Sequence, residues 1–331
     1  MKAIILQEHG SPESFCLSEI PKPKIEPGKV IIQVCATSVN PVDCKIRSGI
    51  LRGISPKLPG VLHGDIAGII VEVGTGVSGF KVGDEIYGCV GGFTDMPGVL
   101  VEYAMVDVRL VAKKPRNLSM LETAALPLVS ITAWNALVDR GKVSCDQKVL
   151  IYGGTGGVGH VAIQLAKALG AEIHTIISSA RKAEIAKALG ADKTFSYRHE
   201  THEQSRPELP EENGYDLVFD TVGGGCLDQS FQAAKEYGTV VSIASRASHD
   251  LTLVHVKSLS LHVVFMLLPL LRNQYREKHG QILSQITNLA DQGKIIPLIH
   301  EQSFSFDEVG KAHDCWESGQ ATGKIVLENK W

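Results

Sequence analysis

From residue 148 onward, strand-like apolar segments alternate with helix-like segments. KVLIYG (148–153) precedes a helical pattern over about 157–169, and AEIHTII (171–177) precedes another over about 180–189. DKTFSY, YDLVFDTVG and GTVVSIA continue the strands, with a helix ending near 236, and LHVVFM (261–266) is the last strand. This alternation predicts an α/β fold with a doubly wound parallel sheet and right-handed crossovers.

Before residue 120 the strand-like segments are short and interrupted by glycine and proline. They occur at 29–39, 66–74, 84–90 and 101–107, and they predict an irregular β-rich domain. After residue 266 the pattern predicts a helix near 274–292, a strand at 295–305, a helix at 307–318 and a strand at 323–328. Because these last elements resemble the N-terminal ones, we predict one domain from 1–122 with 267–331, and a second from 123–266.

The segment that joins the two predicted domains is helical in period. Ser119 and Glu122 have the spacing of a capping box, which predicts that a helix begins there. Pro127 should then kink or divide this helix, because proline lacks the N–H that the helix needs.

Composition excludes several classes of protein. The net charge is −3 and no run of basic residues occurs, so we expect no nucleic-acid partner. The uninterrupted apolar stretch 263–271 is far shorter than the ~20 residues that span a bilayer, so we expect no membrane segment. Seven dispersed cysteines without a CxxC pair are typical of a reducing compartment, and the N-terminus lacks a signal peptide pattern. We therefore expect a soluble cytoplasmic protein.

A glycine cluster follows the first strand of the alternating region. Gly154, Gly156 and Gly159 satisfy GxGxxG between a strand and a helix, the context in which backbone N–H groups hold a pyrophosphate. The same pattern also occurs in GTGVSG (74–79), but a strand-like run follows it there. We interpret that second match as a hairpin turn.

The end of the second strand predicts which nucleotide binds. NAD sites usually place an Asp or Glu there to bind the ribose hydroxyls. This chain instead has Ser178, Ser179, Arg181 and Lys182, with no intervening carboxylate. Hydrogen-bond donors and positive charge favour a 2′-phosphate, and hence NADPH.

Several motifs together resemble the medium-chain dehydrogenase/reductase superfamily, and more narrowly its zinc-independent NADPH:quinone oxidoreductase, or zeta-crystallin-like, branch. They are SVNPVDCKIRSG (38–49), GDIAGIIVEVGTGV (64–77), FKVGDEIYG (80–88), AALPLVSITAWNAL (124–137), YGGTGGVGHVAIQLAK (152–167) and GKIVL (323–327). The resemblance implies a GroES-like catalytic domain beside a Rossmann domain. It also implies a homodimer that pairs the last Rossmann strand, LHVVFM.

The resemblance further implies which residues bind the cofactor. The phosphate loop matches Gly154, Thr155, Gly156, Gly157, Val158 and Gly159, and the adenosine-phosphate contacts match Ser178, Lys182 and Tyr197. The implied nicotinamide-side contacts and other cofactor neighbours are Asn40, Thr132, Val222, Ala244, Phe265 and Lys324.

Alcohol dehydrogenases of the same superfamily use a catalytic zinc, and this chain departs from their ligand pattern. The residues at the first two ligand positions are Asn40 and Gly64, where those enzymes have Cys and His. The other candidate ligands, His63, Asp65, Cys44 and Cys89, match no metal-site spacing of a known family. We therefore predict no metal.

Without zinc, hydride from NADPH requires an acceptor that is activated by its own conjugation. A small-molecule quinone or an α,β-unsaturated carbonyl (enone) satisfies this requirement, whereas an isolated ketone lacks stabilisation for the developing oxyanion. The candidate catalytic residues are Asn40, which stands where the zinc enzymes have their first ligand, and Tyr87 and Tyr103 as proton donors. Asp43 is a further candidate proton donor, but we favour the interpretation that it caps or orders the turn after Asn40. The segment ILRGISPKLPG (50–60) lacks the tyrosines that quinone reductases of the branch often have there, which weakens the case for quinones.

Two alternatives stay open at this point. One is a zinc-type alcohol dehydrogenase-like enzyme with an unusual ligand set. The other is a non-catalytic, crystallin-like protein that binds NADPH without turning it over.

Overall fold

A computed structural model describes residues 1–196 and 214–331 of this chain. The chain forms two compact units. The first contains residues 1–128, 267–293 and 297–331, and the second contains 129–266 and 294–296. The N-terminal and C-terminal segments therefore fold together in the first unit.

The strands in the described part of the chain are β1 (Lys2–Leu6), β2 (Phe15–Glu19), β3 (Lys29–Ser38), β4 (Asp65–Val73), β5 (Glu85–Cys89), β6 (Tyr103–Asp107), β7 (Val111–Lys113), β8 (Lys148–Tyr152), β9 (Glu172–Ile177), β10 (Lys193–Ser196), β11 (Tyr215–Asp220), β12 (Ala234–Ser242), β13 (Ser260–Val263), β14 (Phe304–Ser305) and β15 (Val326–Glu328). The helices are α1 (Pro41–Arg47), α2 (Met120–Ala124), α3 (Pro127–Trp134), α4 (Gly157–Ala168), α5 (Ala180–Ala188), α6 (Gly225–Ala233), α7 (Thr252–Val256), α8 (Leu268–Arg272), α9 (Glu277–Asp291) and α10 (Val309–Glu317).

The first unit is built on a sheet with the strand order β14-β15-β3-β4-β5-β7, and β6 also pairs with β3. β4 and β5 are antiparallel neighbours, with Asp65 opposite Cys89. The turn between them contains Gly76 and Gly79 at φ of 79° and 82°, values that side chains rarely adopt. The interpretation of GTGVSG as a hairpin turn is therefore confirmed.

The second unit contains a six-stranded parallel sheet in the order β10-β9-β8-β11-β12-β13. Counted from β8, this is the 3-2-1-4-5-6 order of a doubly wound dinucleotide-binding sheet. The strand order reverses between β8 and β11, and ligands bind such sheets at the carboxyl ends of the strands beside that point. Buried Leu150, Val218, Phe231 and Val240 form part of the core between strands and helices.

The connecting segment also behaves as predicted. Ser119 caps α2, and the Glu122 carboxylate accepts a hydrogen bond from the Ser119 N–H at 2.7 Å. Pro127 begins α3 after a break at 125–126, so the expected division of the helix at this proline is confirmed.

Two predicted strands were wrong in extent. The segment predicted as a strand at 295–305 is a strand only at β14, with an isolated bridge between Ile299 and Lys324. At its start, the N–H and carbonyl of Ile296 bond instead to the Gln164 side chain at 2.8 and 2.9 Å. Those backbone groups are not available to a strand neighbour. The last parallel strand ends at Val263, so Phe265 lies beyond the sheet.

None of the helices within residues 1–196 and 214–331 combines the length and apolar character that crossing a membrane requires.

Candidate functional site

The glycine loop lies at the carboxyl end of β8 and leads into α4. Gly153 has a φ of 71°, and Gly156 is the N-cap of α4 with no side chain accepting the hydrogen bonds of the first turn. Gly156, Gly157 and Val158 are partly exposed, whereas Thr155 is buried. A helix start of this kind concentrates backbone N–H donors and partial positive charge, which suits a pyrophosphate.

Two glycines of this loop are required by close packing. A Cβ at Gly159 would lie 2.1 Å from the Gly153 carbonyl oxygen and 2.8 Å from the Gly154 Cα. A Cβ at Gly154 would lie 2.2 Å from the Thr175 hydroxyl on β9. These separations are below van der Waals contact, so only glycine allows α4 to begin so close to the strand ends.

The loop after β11 lies directly beside the glycine loop. A Cβ at Gly153 would be 2.8 Å from the Thr221 hydroxyl and 3.4 Å from a methyl of Val222. Val222 is about half exposed, at 51%. The two loops therefore meet where the strand order reverses, as the predicted role of Val222 requires.

Asp220 shapes this second loop, and our sequence reasoning missed it. Its carboxylate is fully buried and accepts the N–H groups of Val222 at 3.0 Å and Gly223 at 2.8 Å. The other oxygen accepts the Ser242 hydroxyl at 2.7 Å, and that hydroxyl accepts the Ala244 N–H at 3.2 Å. Asp220 thus ties Val222 to Ala244. The only signal in the sequence was an acid closing an apolar strand.

The predicted phosphate-binding residues follow β9. Ser178 is exposed, Ser179 caps α5 by accepting the Lys182 N–H at 3.3 Å, and Lys182 is partly exposed. No carboxylate occurs in the chain between Glu172 and Glu184. The turn therefore combines hydroxyl donors with a lysine. It lies at the carboxyl ends of the strands, as the glycine loop does.

The other predicted cofactor contacts in the second unit, Thr132 and Phe265, lie outside the glycine loop and the loop after β11. Thr132 lies buried in α3, and Phe265, two residues beyond β13, is 45% exposed. Tyr197 lies outside the described residues. Their roles stay predictions.

In the first unit, Asn40 is the N-cap of α1, immediately before Pro41. β3 ends at Ser38, so Asn40 lies between the end of this strand and the first residue of α1. The Asn40 N–H donates to the Asp43 carboxylate at 2.8 Å, and the residue is 1% exposed. A proline at the first helical position and an acid in the first turn both favour this helix start.

Asn40 belongs to a buried charged cluster with Asp65 and Lys324. The Asp65 carboxylate accepts the Asn40 amide N–H at 2.8 Å, the Ser38 hydroxyl at 2.9 Å and the Leu128 N–H at 2.9 Å. The Lys324 ammonium donates to the Val39 carbonyl at 2.7 Å and to the Asn40 side-chain carbonyl, and it lies 3.6 Å from Asp65. Both charged side chains are almost completely buried.

Burial dominates the proton equilibria of this cluster. It raises the pKa of Asp43 to about 7, with the charge of Asp65 adding to the rise and the Asn40 N–H and Lys324 opposing it. Burial also lowers the pKa of Lys324, which the charges of Asp65 and Asp43 partly offset. Asp43 is therefore the group of this cluster that exchanges a proton near neutral pH.

A directed series of hydrogen bonds reaches the same cluster from the surface. The Arg47 guanidinium contacts Glu317 and donates to Nδ1 of His313 at 3.2 Å, so Nε2 of His313 must donate to Nε2 of His63 at 2.9 Å. His63 Nδ1 then donates to the Thr37 hydroxyl at 3.4 Å, and that hydroxyl donates to the Asp65 carbonyl at 2.6 Å. Each donor needs an acceptor, so both imidazoles are neutral with one tautomer each.

The pKa directions agree with this assignment. Burial, with the Lys324 charge, lowers the pKa of His63 to about 3, and burial with the His63 and Arg47 charges lowers that of His313. His63 has a φ of 68°, a conformation that non-glycine residues rarely adopt. Side-chain bonding thus holds a strained residue two positions before Asp65.

The two predicted tyrosines lie apart from this cluster. Tyr87 is fully buried, and its hydroxyl donates to the Leu283 carbonyl at 2.7 Å and accepts from Thr287 at 3.1 Å. The hydroxyl proton of Tyr87 is already donated to a carbonyl inside the first unit, and burial raises the pKa of Tyr87. Both observations argue against its predicted role as proton donor. Tyr103 begins β6 with the Lys22 ammonium 4.0 Å from its ring, and its role stays a prediction.

The residues at the zinc-ligand positions do not fit a zinc ion. The Asn40 amide is occupied by Lys324 and Asp65. A side chain at Gly64 would begin 2.7 Å from the Gly91 carbonyl oxygen and 3.3 Å from the Cys89 sulfur, so a ligand side chain has no room there. Across residues 1–196 and 214–331, no three His, Cys, Asp or Glu side chains are grouped to hold a metal ion.

Two family models match the chain. The alcohol dehydrogenase GroES-like domain matches residues 26–116, and the zinc-binding dehydrogenase domain matches residues 189–327. Together with the parallel sheet of the second unit, these matches confirm the predicted combination of a GroES-like domain with a Rossmann domain.

Individual proteins are similar over nearly the whole chain. A 2-methylene-furan-3-one reductase of Solanum lycopersicum is 36% identical over 99% of this chain and 79% of its own length. An NADPH-dependent alkenal/one oxidoreductase of Arabidopsis thaliana is 33% identical over the same shares of the two chains. The solved structure of the quinone oxidoreductase from Coxiella burnetii has a TM-score of 0.83 and 31% identity, covering 100% of this chain and 99% of that one. The motifs, the two units and these similarities lead to one conclusion: this chain belongs to the medium-chain dehydrogenase/reductase superfamily.

Proposed function

We propose that this protein is a metal-independent reductase that uses NADPH to reduce the carbon–carbon double bond of α,β-unsaturated carbonyl compounds. The observation on which this proposal rests is the uncapped start of α4, with the Ser178–Lys182 turn at the same sheet edge. That arrangement supplies backbone donors for a pyrophosphate and a cation for one further phosphate.

The cofactor assignment depends on the end of β9. Ser178 and Lys182 offer a hydroxyl and an ammonium where NAD-binding chains usually have an acid. The name of the Arabidopsis relative, an NADPH-dependent enzyme, supports the same choice.

The acceptor assignment depends on the zinc-ligand positions. Because Asn40 and Gly64 do not fit a metal, the acceptor must stabilise the charge that forms on its own oxygen. NADPH, held by the glycine loop and the Ser178–Lys182 turn, would supply a hydride to the β-carbon of a conjugated carbonyl. The negative charge would then lie on the acceptor's own oxygen, and a proton from solvent would complete the saturated product. The protein would position the acceptor and exclude water. The two plant relatives are named for such acceptors.

Quinones are the second candidate acceptors. They accept hydride by the same conjugate chemistry, and the Coxiella relative is named a quinone oxidoreductase. The absence of tyrosine in segment 50–60 makes them our second choice.

We also propose a homodimer formed through β13. This strand is an edge of the six-stranded sheet, with exposed Val263, and Phe265 follows it. An exposed edge strand offers unpaired backbone groups to a second copy. The mass of the purified protein in solution tests this, and a strictly monomeric protein would contradict it. The cytoplasmic location stays a prediction.

The function is tested with matched pairs of acceptors. Purified protein is mixed with NADPH and either an enone, the corresponding saturated ketone, or a quinone, and NADPH absorbance is followed. We expect turnover with the enone and none with the saturated ketone. NADPH oxidation no faster than in buffer for every enone and quinone would leave a non-catalytic NADPH-binding protein. One zinc per chain, with activity lost to a chelator, would favour the alcohol dehydrogenase-like alternative.

Lys182→Ala tests the cofactor assignment. A charge-assisted hydrogen bond contributes about 1.5–3 kcal/mol, so we expect the Kd for NADPH to rise by about 10- to 100-fold while that for NADH changes little. Lys187→Ala is the matched control, because Lys187 is exposed on the same helix and pairs with Glu184 at 3.3 Å. Equal losses for both cofactors would remove Lys182 from the 2′-phosphate site.

A further inference from the structure

Asp220, the last residue of β11, lies at the centre of a buried hydrogen-bond network. One oxygen of its carboxylate accepts the N–H groups of Val222 and Gly223, and the other accepts the Ser242 hydroxyl. Because that hydroxyl accepts the Ala244 N–H, its own proton is directed at the carboxylate. Both oxygens of this fully buried group therefore act as acceptors, which is the bonding pattern of an ionised carboxylate.

No ion pair joins Asp220 to a lysine, arginine or histidine within residues 1–196 and 214–331. Two other carboxylates of this unit also accept a backbone N–H, but each has a lysine as well. Asp216 contacts the Lys235 ammonium, and Asp192 contacts that of Lys167 at 2.6 Å. The donors to Asp220 are neutral, so its negative charge is not compensated by a cation at short range.

The cofactor assignment places this charge under one half of the dinucleotide. The start of α4, which would hold the pyrophosphate, follows β8, and the Ser178–Lys182 turn, which would hold the 2′-phosphate, follows β9 on one side of β8. β11 lies on the other side of β8. A dinucleotide lies across the point where the strand order reverses, so the nicotinamide half must extend over the carboxyl ends of β11 and β12.

The loops at these two strand ends are held firmly above Asp220. The Thr221 hydroxyl donates to the carbonyl of Tyr152, the last residue of β8, at 2.6 Å. A Cβ at Gly223 would lie 2.2 Å from the Ala244 carbonyl oxygen, so the two loops are in direct contact. The backbone of residues 222–223 is thus a single layer that donates to the carboxylate on one side and presents the half-exposed Val222 on the other.

We propose that Asp220 is a positioning residue that acts through the loops after β11 and β12, and that its buried charge favours the oxidised form of the cofactor over the reduced form. This inference rests on the function proposed above. The nicotinamide ring is neutral in NADPH and carries one positive charge in NADP⁺. A fixed negative charge beneath this end of the cofactor therefore binds NADP⁺ more strongly and favours the departure of hydride from NADPH.

The proposal is tested by measuring the Kd for NADPH and the Kd for NADP⁺ separately by calorimetry, with thermal unfolding in parallel. Asp220→Asn removes the charge and keeps an oxygen for the two N–H groups, and Asp220→Ser is a second neutral variant. Ser242→Ala separates Ala244 from the network but keeps the charge. Asp216→Asn is the matched control, because it removes a carboxylate near the opposite end of the same strand.

We expect both Asp220 variants to raise the ratio of the NADP⁺ Kd to the NADPH Kd by about 10-fold. A unit charge several ångströms from another inside a protein changes an equilibrium by about this factor or more. Ser242→Ala should weaken both forms by the same factor, about 2- to 10-fold for one hydrogen bond, and leave the ratio unchanged. Asp216→Asn should leave both Kd values unchanged.

Two results would overturn the inference. If both Kd values rise equally in the Asp220 variants, the carboxylate holds the loops but its charge does not act on the cofactor. If Asp216→Asn changes the ratio as much as Asp220→Asn does, the net charge of the protein is responsible rather than the place of Asp220. If wild type binds both forms but reduces no acceptor, the proposed function fails, and the ratio of Kd values still decides the inference. Binding of neither form contradicts both.

Discussion

Gly159→Ala is expected to weaken NADPH binding by about 100-fold or more. The added Cβ would lie 2.1 Å from the Gly153 carbonyl oxygen and 2.8 Å from the Gly154 Cα, and both are backbone atoms that no rotamer change can move. The start of α4 must therefore shift away from the strand ends, and its N–H groups leave the phosphate site. Losing two charge-assisted hydrogen bonds of about 1.5–3 kcal/mol each accounts for a loss of this size.

The measurement is the Kd for NADPH by calorimetry, with thermal unfolding followed in parallel. Overpacking alone costs about 1–3 kcal/mol, so the variant should still fold. Gly225→Ala is the matched control, because a Cβ there meets nothing within 4 Å and Gly225 opens a helix of the same unit. If Gly159→Ala binds NADPH as tightly as Gly225→Ala, the cofactor does not lie against α4.

Lys324→Met alone is expected to lower the free energy of unfolding by about 3–5 kcal/mol. It leaves the carboxylate of Asp65 buried at 0% exposure without its ammonium partner, and an unpaired buried charge has a cost of this order. Adding Asp65→Asn should recover most of the loss, because the second charge is then absent too. Chemical denaturation of the wild type, the single variant and the double variant measures the loss and its recovery. Lys311→Met is the control, because Lys311 is an exposed lysine of the same unit that pairs with Glu308 at 3.0 Å.

The pH dependence of that loss has a definite sign. The pKa of Asp43 is raised to about 7 in the folded protein, above the ~3.9 of an unfolded chain, so folding takes up a proton between these values. Stability from this group therefore increases as pH falls through about 7. Lys324 opposes the rise in the Asp43 pKa, so its removal strengthens the effect. The loss caused by Lys324→Met should be larger at about pH 8 than at about pH 6, and a loss independent of pH would separate Asp43 from this cluster.

Features that depend on neighbouring residues in the chain were predictable. The glycine loop, the alternation of strands with helices, the Ser119 capping box and the hairpin at 74–79 each result from local backbone preferences. The edge of the sheet where Ser178, Val222 and the glycine loop lie was also predictable, because parallel strands linked by right-handed crossovers bring all their carboxyl ends to one side.

The predicted strand near residue 296 and the predicted role of Tyr87 show the limit of local sequence patterns. Residues near 296 have the apolar pattern of a strand, yet the Gln164 side chain, 132 positions earlier in the chain, binds the backbone of Ile296. Tyr87 was predicted as a candidate proton donor, but the Leu283 carbonyl, 196 positions away in the chain, accepts its hydroxyl proton. No pattern of neighbouring residues indicates hydrogen-bond partners that are so distant in the chain.

By itself, the sequence determined the two kinds of domain, the glycine loop before α4 and the Ser178–Lys182 turn after β9, since each depends on residues a few positions apart. Only the tertiary structure decided what surrounds Asn40. Its ammonium partner is 284 positions away in the chain and its carboxylate partner 25 positions away. The physical reason is that a buried charge is stable only with a partner at short range, and folding alone determines which distant residue supplies that partner.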